Sequence, residues 1–151
     1  MSDKEVSVGI IFTDGIEMLA CQGYGHAFRK HNLDIPKGHW EEGETYKETA
    51  IRECEEETGY VIANDEDLID LGMFEYLPTK DLYLYAYFVD GIPDLSTFHC
   101  DSYFELNGRK VPEVIKYHKI PLNELDYFYR NLERVLNEAL EILADDVLDE
   151  S

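Results

Sequence analysis

Three glutamates within residues 38–60 constrain the fold of this chain more than any other feature of the sequence. Glu53, Glu56 and Glu57 recur with the i, i+3, i+4 spacing that brings side chains to one face of an α-helix. Carboxylates this close repel one another, and the helix that carries them loses stability unless a positive charge lies between them. A hard divalent cation such as Mg²⁺ or Mn²⁺ would meet that need, because both ions prefer oxygen ligands.

The same stretch contains residues that are typical of the two ends of a helix. Thr45 can cap the N-terminus, and Glu48, three residues later, completes a capping box. Gly59 is the residue type expected just beyond a C-terminus. We therefore predict a helix over residues 45–58. Its glutamates are expected to turn away from its buried side, which is marked by Ala50, Ile51 and Cys54.

Hydrophobic periodicity predicts the remaining elements. Residues 36–43 and 91–108 are expected to be mainly loop, and residues 127–143 have the apolar spacing of an amphipathic helix. Strands are predicted for residues 6–13, 18–22, 68–76, 81–89 and 114–118. This order predicts an α/β fold with a mixed sheet, in which residues 1–151 form a single domain.

One predicted strand carries a stripe of tyrosines. Tyr83, Tyr85 and Tyr87 alternate with apolar residues, so they are expected on one face of the sheet. Such a stripe is more typical of a packed sheet face or a dimer contact than of a binding platform.

The charge balance disfavours several kinds of partner. The chain has 13 Lys and Arg against 33 Asp and Glu, a formal net charge of −20. A nucleic acid duplex or an anionic membrane surface would be repelled by this excess of acid. A small polyanion can still bind if metal ions supply positive charge locally. The sequence shows no signal peptide and no apolar run long enough for a membrane span, so a cytoplasmic location is expected.

The fixed residues of this stretch resemble the Nudix box, Gx5Ex7REUxEExGU, in which U is a bulky aliphatic residue. Cys54 and Tyr60 replace two of the aliphatic residues, and both are compatible with burial. All the other fixed positions match: Gly38, Glu44, Arg52, Glu53, Glu56, Glu57 and Gly59. The resemblance implies a Nudix-type α/β/α sandwich and hydrolysis of a nucleoside diphosphate linked to another moiety.

The resemblance also implies a metal site that uses Mg²⁺ or Mn²⁺. Glu53, Glu56 and Glu57 would ligate one or more ions, with the backbone carbonyl of Gly38 as a further ligand. Gly38 would be required because a side chain at this position would crowd the metal. The ions would neutralise the diphosphate and activate the water that attacks phosphorus.

Other residues would support this chemistry if the resemblance holds. Arg52 would orient the glutamates through charge-assisted hydrogen bonds, and Glu44 would pair with Arg52 or with the loop. A local ion pair between Arg52 and Glu56 is the alternative for that arginine. A general base is often found outside the box in this family, and Glu113 lies before the last predicted strand, where many members carry a glutamate. Glu57 is the other candidate base, and a surface role without chemistry is the alternative for Glu113.

The substrate is less constrained than the reaction. Tyr76 lies about sixteen positions after the box, which resembles the diadenosine polyphosphate group, and Pro78 resembles the ADP-ribose group. FAD and NADH are further candidates. Tyr76 is expected either to stack on an adenine or to pack in the core, and the same two interpretations apply to Trp40.

Other functions and assemblies stay open at this stage. A nucleoside triphosphate pyrophosphatase is one alternative, and a non-catalytic module that senses a nucleotide is another. Sensor modules usually lose box glutamates, whereas this chain keeps all of them. Dimers are common in the family, so the resemblance leaves a homodimer open beside a monomer.

Overall fold

The computed structural model describes residues 4–149, with side chains described as far as residue 145. In chain order the elements are β1 (Glu5–Thr13), β2 (Glu17–Gly23), β3 (Lys37–His39), α1 (Tyr46–Thr58), β4 (Ile69–Leu77), β5 (Lys80–Phe88), β6 (Tyr103–Leu106), β7 (Arg109–Pro112), β8 (Val114–Pro121) and α2 (Arg130–Asp149).

A mixed sheet forms the centre of the fold, as the sequence predicted. The strand order is β4-β5-β1-β2-β8, and β3 pairs with β1 outside this path. The β1–β5 pair is parallel, while the other pairs within the sheet are antiparallel. Apolar residues of α2 pack on one face of the sheet, and those of α1 pack on the other. The predicted α/β/α sandwich is therefore confirmed.

Strand β5 contributes to both layers through its alternating side chains. Leu82 and Leu84 are fully buried in the cluster beneath α2. Tyr85 and Tyr87 are buried on the α1 side, and the partly buried Tyr83 packs against the same cluster. The tyrosine stripe thus forms a packed sheet face.

Two segments predicted as loop contain short strands. Within residues 36–43, β3 pairs with β1 and brings Gly38 opposite Val8. Within residues 91–108, β6 forms a hairpin with β7 around Asn107 and Gly108, whose φ angles are 52° and 78°. Positive φ at both central residues suits a tight hairpin turn, and Asn-Gly is the dipeptide that adopts it most readily.

The second helix begins three residues later than predicted. Residues before Arg130 make backbone hydrogen bonds with Leu33, whose N–H donates to the Tyr127 carbonyl at 3.0 Å and whose carbonyl accepts from the Tyr129 N–H at 3.1 Å. Leu125–Tyr127 form a 3₁₀ turn, and Phe128 after it is extended with φ −81° and ψ 157°, so the α-helix starts only beyond them.

No helix in the described part of the chain is long and apolar enough to cross a membrane. The single domain, the cytoplasmic location and a homodimer stay predictions from the sequence.

Candidate active site

Helix α1 has the ends that the sequence predicted. The Thr45 side chain accepts from the Glu48 N–H at 3.1 Å, and the Glu48 carboxylate accepts from the Thr45 N–H at 3.1 Å. Gly59 closes the helix with a left-handed φ of 76°, and its N–H donates to the Glu55 carbonyl at 2.8 Å. These local bonds fix where the helix begins and ends, and therefore which residues face the sheet.

Two of the box glutamates lie on the buried side of α1. Glu53 and Glu57 are each 8% exposed, on the side of the helix that also buries Ala50 and Cys54. The prediction that the glutamates turn away from this side is therefore wrong for these two residues. Glu56 differs, since its side chain is 40% exposed. The sequence pattern identified a shared face but not its burial, because burial depends on how β3 and β1 pack beside the helix.

The backbone of β3 lies directly against the two buried carboxylates. The Lys37 N–H donates to Glu57 Oε1 at 2.9 Å. A Cβ atom at Gly38 would overlap the Glu53 carboxylate, so any larger residue would displace that side chain. Glycine is thus required here to make room for a carboxylate of the protein itself, a reason that the sequence alone did not indicate.

Arg52 links three glutamates at the edge of this site. Its Nε and Nη2 donate to the two carboxylate oxygens of Glu44 at 2.7 and 2.9 Å, a bidentate pair. Its Nη1 donates to Glu53 Oε1 at 2.8 Å, whereas both Glu56 oxygens are 3.5 Å away. Glu44 therefore anchors the guanidinium, and the i, i+4 contact with Glu56 is the longest of the set. This pairing lowers the pKa of Glu44 to about 2.

The buried carboxylates are electrostatically unfavourable without a cation. Burial, reinforced by the nearby Glu56 charge, raises the pKa of Glu53 to about 7, although Arg52 opposes the shift. Burial also raises the pKa of Glu57 well above its ordinary value, against the effect of the Lys37 N–H bond. Hard oxygen donors of this kind are the ligands that Mg²⁺ and Mn²⁺ prefer. The donor set therefore fits such an ion in chemistry, but within residues 4–149 no three His, Cys, Asp or Glu side chains are grouped closely enough to hold one.

A cavity of about 390 Å³ lies beside the buried carboxylates. Glu57 and Gly38 line it, together with Lys37 and Asp34, whose charged groups are 3.0 Å apart. The Asp34 charge raises the pKa of the Lys37 ammonium, which keeps it protonated at neutral pH. The cavity thus combines carboxylates with a fixed positive charge, an arrangement that can accept a phosphate-bearing ligand.

Glu113 lines the same cavity, although it is distant from the box in sequence. It lies between β7 and β8, is exposed, and accepts from the Ser102 hydroxyl at 2.9 Å. The structure therefore brings Glu113 to the cavity that Glu57 lines. Its role as a base stays a prediction.

Neither aromatic residue predicted to bind substrate lies in this cavity. Tyr76 is 9% exposed and belongs to the apolar cluster beneath α2, which favours the core interpretation. Trp40 is 38% exposed, and its indole N–H donates to the Glu44 carbonyl at 2.7 Å. Trp40 instead lines a neighbouring groove with Lys4, and His39 lines both this groove and the cavity. Substrate binding by either residue stays a prediction, as it does for Glu44, which the structure pairs with Arg52.

Three aromatic residues that the sequence analysis missed line the cavity, namely Tyr24, Phe104 and Tyr129, which directly precedes α2. Tyr24 follows β2, and Phe104 lies on β6. The Asn107-Gly108 turn was the available signal for Phe104, because it predicts a hairpin and so assigns residues 103–106 to a strand. The sequence around Tyr24 offers no comparable signal.

Comparisons with known proteins identify the family. The model of the NUDIX domain matches residues 3–140. An uncharacterized 17.7 kDa protein from the e-segB intergenic region of Enterobacteria phage T4 is 34% identical over 142 residues, which cover 89% of this chain and 94% of that protein. The chain belongs to the NUDIX family. The class of enzyme that this family and site define is the pyrophosphohydrolases of nucleotide derivatives.

Solved structures agree in fold. A MutT/nudix family protein from Enterococcus faecalis is 15% identical with a TM-score of 0.65, over 96% of this chain and 64% of that one. An ADP-ribose pyrophosphatase from Streptococcus suis is 14% identical with a TM-score of 0.63, over 91% of this chain and 90% of that one. Similarity at this level of identity establishes the shared fold alone.

Proposed function

We propose that this chain is a divalent-metal-dependent pyrophosphohydrolase that cleaves the diphosphate linkage of nucleoside diphosphate derivatives. The observation that carries the proposal is the pair of buried carboxylates, Glu53 and Glu57, packed against the backbone of Gly38 and Lys37 in β3 beside a cavity. Burying carboxylates destabilises a fold unless their charge is compensated. A bound divalent cation would compensate this charge and would explain why two carboxylates are buried here.

Glu53, Glu56, Glu57 and the carbonyl oxygen of Gly38 would hold the metal. When bound, Mg²⁺ or Mn²⁺ supplies positive charge for the diphosphate oxygens and makes water easier to deprotonate. Arg52 positions Glu53 for this task, because its guanidinium is itself fixed by the bidentate pair with Glu44.

The chain supplies further groups that act on the substrate. Lys37 offers an ammonium to a diphosphate oxygen from the wall of the cavity. Either Glu113 or Glu57 accepts the proton of the attacking water, and both carboxylates line the cavity. Glu113 suits this role because it is exposed and free to contact water, whereas Glu57 accepts the Lys37 N–H.

ADP-ribose and adenine dinucleotides such as diadenosine polyphosphates and FAD are the substrates that we propose first. One supporting argument is that the Streptococcus suis protein of the same fold is named an ADP-ribose pyrophosphatase. A cavity of about 390 Å³ has room for the diphosphate and part of one nucleoside.

A hydrolysis panel tests the proposal. The protein is incubated with Mg²⁺ or Mn²⁺ and with ADP-ribose, diadenosine tri- and tetraphosphate, FAD, NADH or nucleoside triphosphates, and the products are separated by chromatography. We expect release of AMP from at least one adenine dinucleotide or from ADP-ribose, and no release in EDTA. Turnover of nucleoside triphosphates alone would support the triphosphate pyrophosphatase instead. Tight nucleotide binding without any turnover would support a sensor module.

A further inference from the structure

Two neighbouring aromatic rings stand partly exposed at the cavity that Glu57 and Glu113 line. Tyr24 is 44% exposed and Phe104 is 38% exposed, and both belong to the lining of this cavity. Their ring centroids are 6.0 Å apart with an interplanar angle of 73°, so the edge of one ring meets the face of the other. Part of the apolar surface of each ring is therefore available to a flat ligand.

The fold holds Tyr24 and Phe104 close to Glu113, one of the two predicted bases. The Tyr24 N–H donates to the Glu113 carbonyl at 3.3 Å, and the Glu113 N–H donates to the Ser102 carbonyl at 2.8 Å. Ser102 directly precedes β6, the strand that carries Phe104. The two rings and Glu113 are thus joined by short backbone links.

We propose that Tyr24 and Phe104 form the platform on which the nucleobase of the substrate stacks. This inference rests on the proposed function, because it assumes that the diphosphate lies at Glu53 and Glu57. With the diphosphate there, the base is the flat and apolar part of the ligand that remains to be placed, and the two rings are exposed in the same cavity. Stacking recognises the face of a ring and not its edge, so the platform accepts adenine and guanine with little discrimination.

Binding of AMP tests the platform without any need for turnover. Calorimetry compares the Kd of AMP with that of ribose 5-phosphate, which has the same phosphate and sugar but no base. We expect wild-type protein to bind AMP about tenfold more tightly, and Phe104→Leu and Tyr24→Leu to lose most of this advantage. Phe104→Tyr keeps an aromatic face and should retain it.

Tyr103→Leu is the matched control. Tyr103 is the adjacent residue on β6 and is 43% exposed, but its ring lies beneath Lys110 at 4.6 Å and is not part of the cavity lining. This variant should bind AMP as the wild type does. An equal loss in Tyr103→Leu would overturn the proposal, because the effect would then come from the hairpin as a whole.

The outcomes of these experiments test the nucleobase platform and the proposed hydrolysis independently. If the wild type hydrolyses the panel substrates but the advantage of AMP survives both leucine substitutions, the platform is wrong and the reaction stands. If no substrate is hydrolysed but the advantage of AMP depends on Phe104 and Tyr24, the reaction is wrong and the platform stands. When both are right, the leucine variants raise KM about tenfold with little change in kcat.

Discussion

Helices α1 and α2 cover opposite faces of one sheet, but they bury different kinds of side chain. As far as residue 145, the buried side chains of α2 are all apolar, with Leu132, Val135 and Leu136 at 0% exposure. The inner face of α1 buries Glu53 and Glu57 at 8% exposure next to its apolar residues. Burial of each leucine stabilises a fold by about 1.5–3 kcal/mol, whereas burial of a carboxylate without a cation opposes folding. The α2 layer therefore stabilises the fold, whereas the α1 layer buries carboxylates at a cost in stability that a bound cation would offset.

The largest expected effect is that of Glu57→Gln in α1. It removes a buried charge and a proposed metal ligand, so we expect kcat for the best substrate to fall by about 10³-fold. The free energy of unfolding of the metal-free protein should stay the same or rise, because a neutral amide is easier to bury. Steady-state kinetics measure kcat, and urea unfolding measures the free energy of unfolding.

Glu55→Gln, on the exposed side of the same helix, is the control and should leave kcat and the free energy of unfolding unchanged. Wild-type turnover by Glu57→Gln would contradict the account.

Leu136→Ala in α2 should lower stability and leave activity unchanged, which is the opposite of the effect expected for Glu57→Gln. Removing a fully buried leucine leaves a cavity, so the free energy of unfolding should fall by about 2–5 kcal/mol. The kcat of the folded protein should be unchanged below its unfolding transition. Glu138→Ala on the exposed face provides the matched control. A loss of activity in stable Leu136→Ala protein would show that the two layers do not have separate roles.

The pH dependence of the free energy of unfolding of the metal-free protein tests the cost of burying Glu53. The pKa of Glu53 is about 7 in the fold and near its ordinary 4.5 in the unfolded chain. The folded state therefore holds an extra proton between these values, and the stabilisation from this group is complete below pH 4.5 and lost as the pH rises through about 7. In EDTA, we expect the wild type to lose about 3 kcal/mol relative to Glu53→Gln across this window. Parallel stability curves for the two proteins would contradict a raised pKa.

Glu113→Gln gives the smallest expected change. If Glu113 accepts the proton of the attacking water, kcat should fall by about tenfold or more, while the apparent affinity for Mg²⁺ stays the same. Glu105→Gln, at an exposed position of the nearby strand β6, is the control. Unaltered kinetics would leave Glu57 as the remaining candidate base.

Sequence alone predicted the features that depend on local chemistry. The ends of α1 follow from bonds between residues three or four positions apart, namely Thr45 with Glu48 and Gly59 with Glu55. The apolar face of α2 follows from its period, and the mixed sheet follows from the order of elements. The box residues could be located because their spacing, fixed within one helix and the loop before it, resembles the Nudix box.

The features that sequence missed arise from contacts between distant segments. Burial of Glu53 and Glu57 depends on β3, which forms only because residues 37–39 pair with β1. The need for glycine at position 38 depends on the Glu53 carboxylate across that contact. The cavity unites Tyr24, Phe104 and Glu113 through a hairpin that no periodicity in residues 91–108 had indicated.

Thermal unfolding during a titration with Mg²⁺ and Mn²⁺ shows whether the buried carboxylates of α1 bind a cation. A cation that binds only the folded protein raises Tm by mass action. We predict that Tm of the wild type rises with metal concentration, that Glu55→Gln behaves in the same way, and that Glu57→Gln loses most of the increase. A Tm that is independent of metal, or an equal increase in Glu57→Gln, would contradict the account.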